Sequence, residues 1–290
     1  MFIATLIADP KAANLDAATV EALRNAWVGG AVRWLAPGIA AEFPLEVIPE
    51  NRWQVWESLQ GLGFDLVVQR AAGRKKQMLL ADMDSTMIQQ ECIDELADVA
   101  GVGAQVSAIT ARAMNGELDF EGALTERLGL LRGLPESVIG RVIAERITFM
   151  PGGHDLLRTM KANGAYCALV SGGFTAFTGY VSETLGFDEN RANVLGIEDG
   201  KLTGVPVLPI LGREAKVQAF LEISERLKLE HSQVMAVGDG ANDLGMLQLA
   251  GAGVALHAKP SVAAQCEIRI NHGDLTALLY IQGYAVGDFA

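Results

Sequence analysis

Two aspartates separated by a single residue, Asp82 and Asp84, follow directly after the apolar run Met78-Leu79-Leu80-Ala81. Because alternate side chains of a strand point the same way, we expect both carboxylates to face one crevice at the end of a buried strand. One carboxylate could attack an electrophile or ligate a metal while the other handles a proton. The same residues, together with Ser85 and Thr86, would also suit an ordinary capped turn, so other segments of the chain must decide.

Three later segments carry residue types that suit phosphate chemistry. Ser171 is followed by two glycines, and backbone N–H groups beside a hydroxyl can cradle a phosphate. Lys216 lies at the start of a stretch with helical spacing and could neutralise charge on a transferring group, although such a lysine is usually a surface residue. The segment Gly238-Asp239-Gly240-Ala241-Asn242-Asp243 offers the hard oxygen ligands that a Mg²⁺ site requires.

Composition excludes several classes of protein. The chain has 290 residues, half of them hydrophobic, with a net charge of -12 and an isoelectric point near 4.8. No basic cluster exceeds Arg74-Lys75-Lys76, which argues against a nucleic-acid partner. Three widely spaced cysteines indicate neither a disulfide framework nor a zinc finger, and no apolar run is long enough to span a bilayer. We therefore expect a soluble cytoplasmic protein without a signal peptide.

These residues must be positioned by a parallel sheet. Short apolar strands are predicted at residues 77–81, 165–170, 234–237 and 253–256, and each ends in a polar or glycine-rich turn. Residues 90–148 form an insertion rich in Ala, Leu, Glu and Arg that predicts several helices. An insertion of this length is much longer than an ordinary crossover, so we interpret it as a helical cap over the edge of the sheet.

The first 72 residues predict a separate small α+β domain. Strands are expected at 2–8, 31–35, 42–48 and 64–69, and helices at 16–27 and 51–59, the latter capped by Asn51. This order is that of a ferredoxin-like sandwich. The domain carries no cluster of catalytic residue types, so it is interpreted as a regulatory or dimerising module, or simply as a packing domain. Residues 70–76 would be an exposed linker, and the remainder, 77–290, would be active without residues 1–72.

The order of the four motifs, at Asp82, Ser171, Lys216 and Asp239, resembles the haloacid dehalogenase superfamily of aspartate-nucleophile phosphatases over roughly residues 77–275. The resemblance implies a Rossmann-like parallel core with a mobile cap, and a Mg²⁺ cofactor. It also implies roles for individual residues. Asp82 would be the nucleophile and Asp84 would carry the proton. The metal ligands would be Asp82, the Asp84 backbone carbonyl and Asp239. The phosphate and the rest of the substrate would be contacted by Ser171, Gly172, Lys216 and Asn242. Asp243 would be either a water-mediated metal contact or an anchor for Lys216.

A narrower resemblance is to the phosphoserine phosphatases. It rests on residues 82–88 followed by Glu91, on Met114-Asn115-Gly116-Glu117-Leu118-Asp119-Phe120, and on residues 126–133. In that family the glutamate corresponding to Glu91 holds the substrate ammonium and the arginine corresponding to Arg127 holds its carboxylate. The resemblance implies hydrolysis of O-phospho-L-serine, the last step of serine synthesis. The N-terminal residues resemble ACT-like domains, and a homodimer is possible.

Two alternatives remain open from the sequence. One is a phosphotransferase of the same family that passes the phosphoryl group to homoserine. The other is a weakly catalytic amino-acid sensor whose output passes through the N-terminal domain. The intact pair Asp82 and Asp84 argues against a sensor. Cys92 is expected to be a small buried side chain rather than a nucleophile, and the four histidines are too scattered to form a ligand pair.

Overall fold

The computed structural model describes residues 1–114 and 117–290. Asn115 and Gly116, which belong to one of the predicted cap motifs, lie outside the described residues. The N-terminal part has the predicted order, with strands and helices at β1 (Phe2–Ala8), α1 (Ala17–Ala26), β2 (Arg33–Ala36), β3 (Ala40–Leu45), α2 (Arg52–Gln60) and β4 (Phe64–Arg70). Its antiparallel sheet has the order β2-β3-β1-β4, as in a ferredoxin-like sandwich.

Two details of this region differ from the prediction. Strands β2 and β3 each lie about two residues from the predicted ranges, because their apolar residues extend around a short turn at Gly38. Asn51 is the N-cap residue of α2 as predicted, but its side chain makes no capping bond and instead accepts a hydrogen bond from the Trp27 indole at 3.1 Å. Asp16, by contrast, does cap α1 through the Thr19 N–H at 2.7 Å.

A seven-stranded sheet forms the rest of the chain, in the order β11-β10-β9-β5-β6-β7-β8. Its strands are β5 (Met78–Ala81), β6 (Tyr166–Phe174), β7 (Glu189–Glu198), β8 (Lys201–Val207), β9 (Val234–Gly238), β10 (Ala252–Leu256) and β11 (Ile268–Ile270). All pairs are parallel except β7 with β8, which form an antiparallel hairpin. The structure confirms the parallel-dominated Rossmann-like core.

Eight α-helices of the described chain surround this sheet on both faces or extend over its edge. The insertion holds four of them, α3 (Cys92–Val99), α4 (Gly103–Met114), α5 (Phe120–Gly129) and α6 (Ser137–Arg146), as predicted for a helical cap. The helices that flank the sheet are α7 (Gly153–Ala162), α8 (Thr175–Leu185), α9 (Arg213–Leu227) and α10 (Leu244–Leu249). Two short helices follow, α11 (Pro260–Ala263) and α12 (Ala277–Ile281). Within the described ranges, no helix has the length and apolar character to cross a membrane.

The N-terminal sheet shares its core with the large sheet. One face of it packs on α1 and α2, while Ile7, Leu35 and Val67 on the other face belong to the same buried cluster as Leu278 and Ile281 of α12. Polar contacts reinforce this seam, including the bond from the Gln69 amide to the Ile281 carbonyl at 2.7 Å. The predicted linker is not wholly exposed either. Arg74 is only 14% exposed because it pairs with buried Glu42 at 2.7 Å.

Candidate active site

The predicted residues converge on one cavity of about 540 Å³ at the carboxyl edge of the large sheet, beneath the cap. Eight of the ten residues singled out from the sequence line it, namely Asp82, Asp84, Glu91, Arg127, Ser171, Gly172, Asp239 and Asn242. Strands β5, β6 and β9 are neighbours in the sheet, so their carboxyl ends meet at one place. The other two residues, Lys216 and Asp243, lie behind this lining and contact it from below.

Lys216 is buried between two aspartates. Its Nζ lies 2.7 Å from Asp82 Oδ1 and 2.6 Å from Asp243 Oδ1, and only 1% of the residue is exposed. Asp82 Oδ1 also accepts the Met83 N–H at 2.7 Å, so both of these bonds end on the same oxygen. Asp243 accepts the Gly240 N–H on its other oxygen at 2.9 Å. Both oxygens of Asp243 are therefore engaged, as an anchor for Lys216 would require.

The carboxylates are hard to ionise where they lie. Burial and the negative charge of Asp243 raise the pKa of Asp82 well above its usual range, and the Lys216 ammonium opposes that rise. Burial and Asp243 likewise raise the pKa of Asp239 to about 6. For Lys216, burial alone would lower the pKa, but the attraction of Asp82 and Asp243 outweighs it and the pKa is raised. The cluster thus carries more negative charge than Lys216 alone can offset.

A divalent cation fits this arrangement. Single carboxylate oxygens of Asp82, Asp239 and Asp243 all lie within 4.8 Å of one another, and because both oxygens of Asp243 are already engaged, Asp82 and Asp239 are the carboxylates left to ligate a cation. The donor set is entirely oxygen, which suits Mg²⁺ rather than a soft transition metal. The unbalanced negative charge of the cluster points the same way. The carboxylate of Asp84 is not part of this group, and the sequence reasoning had assigned only the backbone carbonyl of Asp84 to the metal.

Asp84 occupies a different environment from Asp82. Burial, followed by the charge of Glu91, raises the pKa of Asp84 to about 7, which is the range expected of a group that exchanges protons near neutral pH. Its Oδ2 faces Gly173, where a Cβ would lie 2.9 Å from that oxygen and 3.1 Å from Ser171 Oγ. A side chain at this position would therefore crowd both the acid and the hydroxyl. Ser171 Oγ accepts the Gly173 N–H at 2.9 Å.

Glu91 and Arg127 lie on the cap side of the cavity. Glu91 precedes α3 and accepts a hydrogen bond from Ser85 Oγ at 2.8 Å. The Arg127 Nε donates to the Ala123 carbonyl of its own helix α5 at 3.2 Å. In the described part of the chain no carboxylate lies within ion-pair distance of this guanidinium, although Asp94 shares the cavity with it. Burial lowers the pKa of Arg127, and the charges of Asp94 and Glu91 oppose that shift.

Sequence reasoning missed two residues that shape the cavity. Asn193 of β7 is 1% exposed and donates to the Gly172 carbonyl at 2.8 Å, while its Oδ1 accepts the Leu211 N–H at 2.6 Å. It thereby joins the glycine segment at the end of β6 to the segment that leads into α9. Phe120 of the cap lies over the same glycine segment, since a Cβ on Gly172 would lie 3.3 Å from its ring. No sequence signal marked Asn193, whereas Phe120 stood inside a motif already identified.

Comparison with known proteins agrees with this geometry. The family model for haloacid dehalogenase-like hydrolases matches residues 79–248, which is more than half of the chain. The phosphoserine phosphatase of Haemophilus influenzae is 46% identical over 202 residues, covering 70% of this chain and 64% of the relative. A probable phosphoserine phosphatase of Schizosaccharomyces pombe is 46% identical over 211 residues, covering 72% and 70%. The chain spans 64% of the Haemophilus influenzae and Vibrio cholerae relatives, slightly less than two thirds of their length.

Solved structures resemble the whole chain as well as its core. A HAD family hydrolase from Salmonella enterica serovar Typhi superposes with a TM-score of 0.88 at 31% identity, covering 98% of this chain and 99% of that one. A phospho-aspartyl intermediate analogue of phosphoserine phosphatase has a TM-score of 0.66 at 39% identity, covering 71% and 98%. The matched family, the fold and the convergence of its four motifs on one cavity agree: the chain belongs to the haloacid dehalogenase-like hydrolase family.

Proposed function

We propose that this chain is a phosphoserine phosphatase that hydrolyses O-phospho-L-serine to L-serine and phosphate, the last step of serine synthesis. The observation that carries the proposal is one cavity with two kinds of group. Its floor holds the aspartate pair Asp82 and Asp84, and its cap side holds one carboxylate, Glu91, and one guanidinium, Arg127. The names of the relatives at 41–46% identity support the same substrate.

In the first step Asp82 attacks phosphorus. Met83 N–H and Lys216 both bind Oδ1 of its carboxylate. A bond forms between a carboxylate oxygen of Asp82 and phosphorus while the bond from phosphorus to the serine oxygen breaks, giving an aspartyl phosphate. Lys216 holds the carboxylate oriented and offsets its charge.

Asp84 acts as the general acid and then as the general base. With a pKa of about 7 it can be protonated when substrate binds and can donate that proton to the departing serine oxygen. In the second step the resulting carboxylate takes a proton from water, the water oxygen bonds to phosphorus, and the bond to Asp82 breaks. The Asp84 carboxyl and the Ser171 hydroxyl both lie beside Gly173, where the phosphoryl group would bind.

The phosphoryl oxygens would be held by Ser171 Oγ, the Gly172 N–H and the Lys216 ammonium, and Asn242 would orient the substrate beside them. Asp82, Asp239 and the Asp84 backbone carbonyl would hold Mg²⁺, which when bound supplies positive charge against the phosphoryl oxygens. Asp243 acts here as the anchor of Lys216. Three buried free cysteines suit a reducing compartment, and we place the enzyme in the cytoplasm; a homodimer stays a prediction.

The experiment is a phosphate-release assay with Mg²⁺ on phosphoserine, phosphothreonine and a sugar phosphate, with Asp82→Asn as the control variant. Phosphoserine should be the preferred substrate and Asp82→Asn should be inactive but folded, because an amide does not attack phosphorus. Product analysis with homoserine present distinguishes hydrolysis from transfer. Formation of phosphohomoserine in place of free phosphate would make the protein a phosphotransferase, and a lack of turnover on all three esters would leave the sensor.

A further inference from the structure

A third cation, Lys259, lines the same cavity as Arg127 and has no role in the proposed chemistry. It is exposed and immediately precedes α11. Among the residues that the structure describes, no carboxylate lies within ion-pair distance of its ammonium group. Its charge nevertheless acts on the site, since it is one of the two lysines that oppose the rise in the pKa of Asp239.

The negative charge around the cavity explains how an exposed cation at this position could assist substrate binding. Five carboxylates line the cavity, and the chain as a whole carries a net charge of -12. A phosphate monoester carries about two negative charges at neutral pH, so the acidic protein repels the substrate that it must bind. A cation at the mouth of a charged cleft raises the rate of encounter with an anion, and it does so most strongly at low ionic strength.

The backbone that carries Lys259 is fixed by an unusual residue. His257, directly after β10, has a φ of 47°, in the left-handed region that non-glycine residues seldom adopt. Two hydrogen bonds hold it there: its N–H donates to the Ile270 carbonyl at 2.7 Å, and its Nε2 lies 2.8 Å from the Gly273 carbonyl oxygen. Pro260 follows Lys259 as the first residue of α11. The loop between His257 and Pro260 is therefore held at both ends.

The N-terminal domain in turn holds the segment to which His257 is bonded. Asp65 of β4 is fully buried, and its carboxyl group accepts the N–H groups of Asn271, His272 and Gly273 at 2.8, 3.0 and 2.8 Å. A continuous path of bonded groups thus runs from Asp65 through Gly273 to His257, two residues from Lys259. It joins a domain without catalytic residues to the mouth of the active site.

We propose that Lys259 guides the anionic substrate into the cavity, and that Asp65 of the N-terminal domain holds it in position through Gly273 and His257. The identity of the substrate rests on the function proposed above, but the guidance depends only on the charge of the phosphate. Lys259 would therefore act equally on phosphoserine and on p-nitrophenyl phosphate, whereas Glu91 and Arg127 would discriminate between them.

The first test measures kcat and KM on both esters, at low and high ionic strength, for Lys259→Gln and Lys259→Arg, with Lys11→Gln as the control. Lys11 is exposed in the N-terminal domain, so this control removes the same charge away from the cavity. We expect Lys259→Gln to lose about 3- to 10-fold in kcat/KM at low salt on both esters, with kcat within about twofold of wild type. Lys259→Arg should restore the rate, and about 0.5 M salt should abolish the difference. A loss that does not change with salt, or an equal loss in Lys11→Gln, would overturn guidance.

The second test is a double-mutant cycle. His257→Gly removes the ring while keeping a residue that tolerates positive φ, and Asp65→Asn weakens the contact with the loop. Each should lower kcat/KM in the same salt-dependent way. Each should have almost no further effect when combined with Lys259→Gln, because all three changes act through one charge. Additive losses, with thermal unfolding unchanged, would show that the path does not act through Lys259.

The two proposals fail differently. If wild type releases no phosphate from phosphoserine but hydrolyses p-nitrophenyl phosphate, the proposed substrate is wrong, and the salt dependence on the generic ester still decides the role of Lys259. If phosphoserine is hydrolysed but Lys259→Gln behaves as wild type at every salt concentration, the guidance is wrong and the function stands.

Discussion

At the scale of single residues, the site depends on charges placed where they are costly. Lys216 is 1% exposed, yet at the start of an amphipathic helix it has the sequence signature of a surface lysine. The resemblance to a family assigned it to the phosphate, but the residues themselves did not predict its burial. Burial becomes affordable only because Asp82 and Asp243, from two other loops, both lie within 2.7 Å of its Nζ.

Glu91 and Arg127 are expected to recognise the amino-acid part of the substrate. Each would make a charge-assisted contact with phosphoserine in the partly dehydrated cavity, so loss of either should cost about 2–4 kcal/mol, or roughly 30- to 1000-fold in kcat/KM. The variants are Glu91→Gln, Arg127→Ala and Arg127→Lys. Arg127→Lys should be nearly as damaging as Arg127→Ala, because a point charge does not replace the planar guanidinium.

The control for this prediction is p-nitrophenyl phosphate, which has neither an ammonium nor a carboxylate group. Its turnover should hardly change in the three variants. Equal losses on both esters would mean that Glu91 and Arg127 serve folding or the chemical step, and the substrate would then be unspecified.

Metal removal provides a second prediction at this scale. Excess chelator should stop phosphate release, and Mg²⁺ should restore it better than Ca²⁺, because Mg²⁺ imposes the more compact octahedral geometry. Binding of Mg²⁺ should also stabilise the folded protein by about 2.7 kcal/mol when the Mg²⁺ concentration is 100 times its Kd. The midpoint temperature of thermal unfolding of the wild type should therefore rise when Mg²⁺ is added. The midpoint of Asp239→Asn should rise much less, whereas that of Asp98→Asn, a change at an exposed residue, should rise as in the wild type. A full response in Asp239→Asn would remove that residue from the metal site.

At the scale of secondary-structure elements, the short apolar strands were predictable and the strands at the edge were not, while β6 was predicted to end at residue 170 and extends to Phe174. Strands β5, β9 and β10 are continuous apolar runs, and each was placed within one residue of its observed bounds. The hairpin of β7 and β8 was missed because its exposed residues interrupt the apolar pattern. Its turn, Asp199-Gly200, has positive φ at both residues and is a recognised hairpin signal that could have revealed it.

Strand β7 contributes to the site through Asn193, and this gives a prediction for an element. Asn193→Ala would leave the Gly172 carbonyl and the Leu211 N–H without their buried partner, at a cost of about 1–3 kcal/mol in the free energy of unfolding. Loosening of the glycine segment at the end of β6 should raise KM for phosphoserine and p-nitrophenyl phosphate alike. The measurements are thermal unfolding and KM on both esters.

The matched control is Asn190→Ala on the same strand. The Asn190 side chain accepts a hydrogen bond from Thr178 Oγ1 at 2.8 Å and does not line the cavity. It should leave KM unchanged. If Asn193→Ala behaved in the same way, the Asn193 bonds would be a matter of stability alone.

At the scale of the whole molecule, the seam between the two sheets indicates that the N-terminal residues contribute to the stability of the rest of the chain. The sequence suggested that residues 1–72 could be removed, since every predicted catalytic residue lies beyond them. The shared buried cluster argues against that expectation, because a single cluster contains side chains from both parts. The alternation of apolar residues along the sequence reveals which face of a strand is apolar. It does not reveal whether that face packs against the helices of the same domain or against another sheet.

Deletion of residues 1–72 is therefore expected to give an insoluble or poorly folded protein. The deletion would uncover buried side chains such as Ile270, Leu278 and Ile281, at about 1.5–3 kcal/mol each. That sum is comparable to the whole stability of an ordinary domain. Solubility and thermal unfolding of the truncated chain are the measurements.

A nicked protein is the control for the deletion. A protease site inserted between the exposed residues Ala72 and Gly73 would cut the chain without removing either part. The nicked protein should remain a complex and stay active. A truncated chain as soluble and stable as wild type would show that the seam contributes little.

The same seam has a consequence for synthesis of the chain. Strand β1, near the start of the chain, packs against α12, near residue 280. At about 5–20 residues per second, the ribosome needs roughly 10 to 60 s to make the intervening segment. During that time the N-terminal sheet can pack its helices on one face, but the other face, which carries Ile7 and Val67, has no permanent partner. The nascent chain thus exposes a strip of apolar strand until its last helices are made, and it is during this interval that the protein is most open to aggregation and to capture by chaperones.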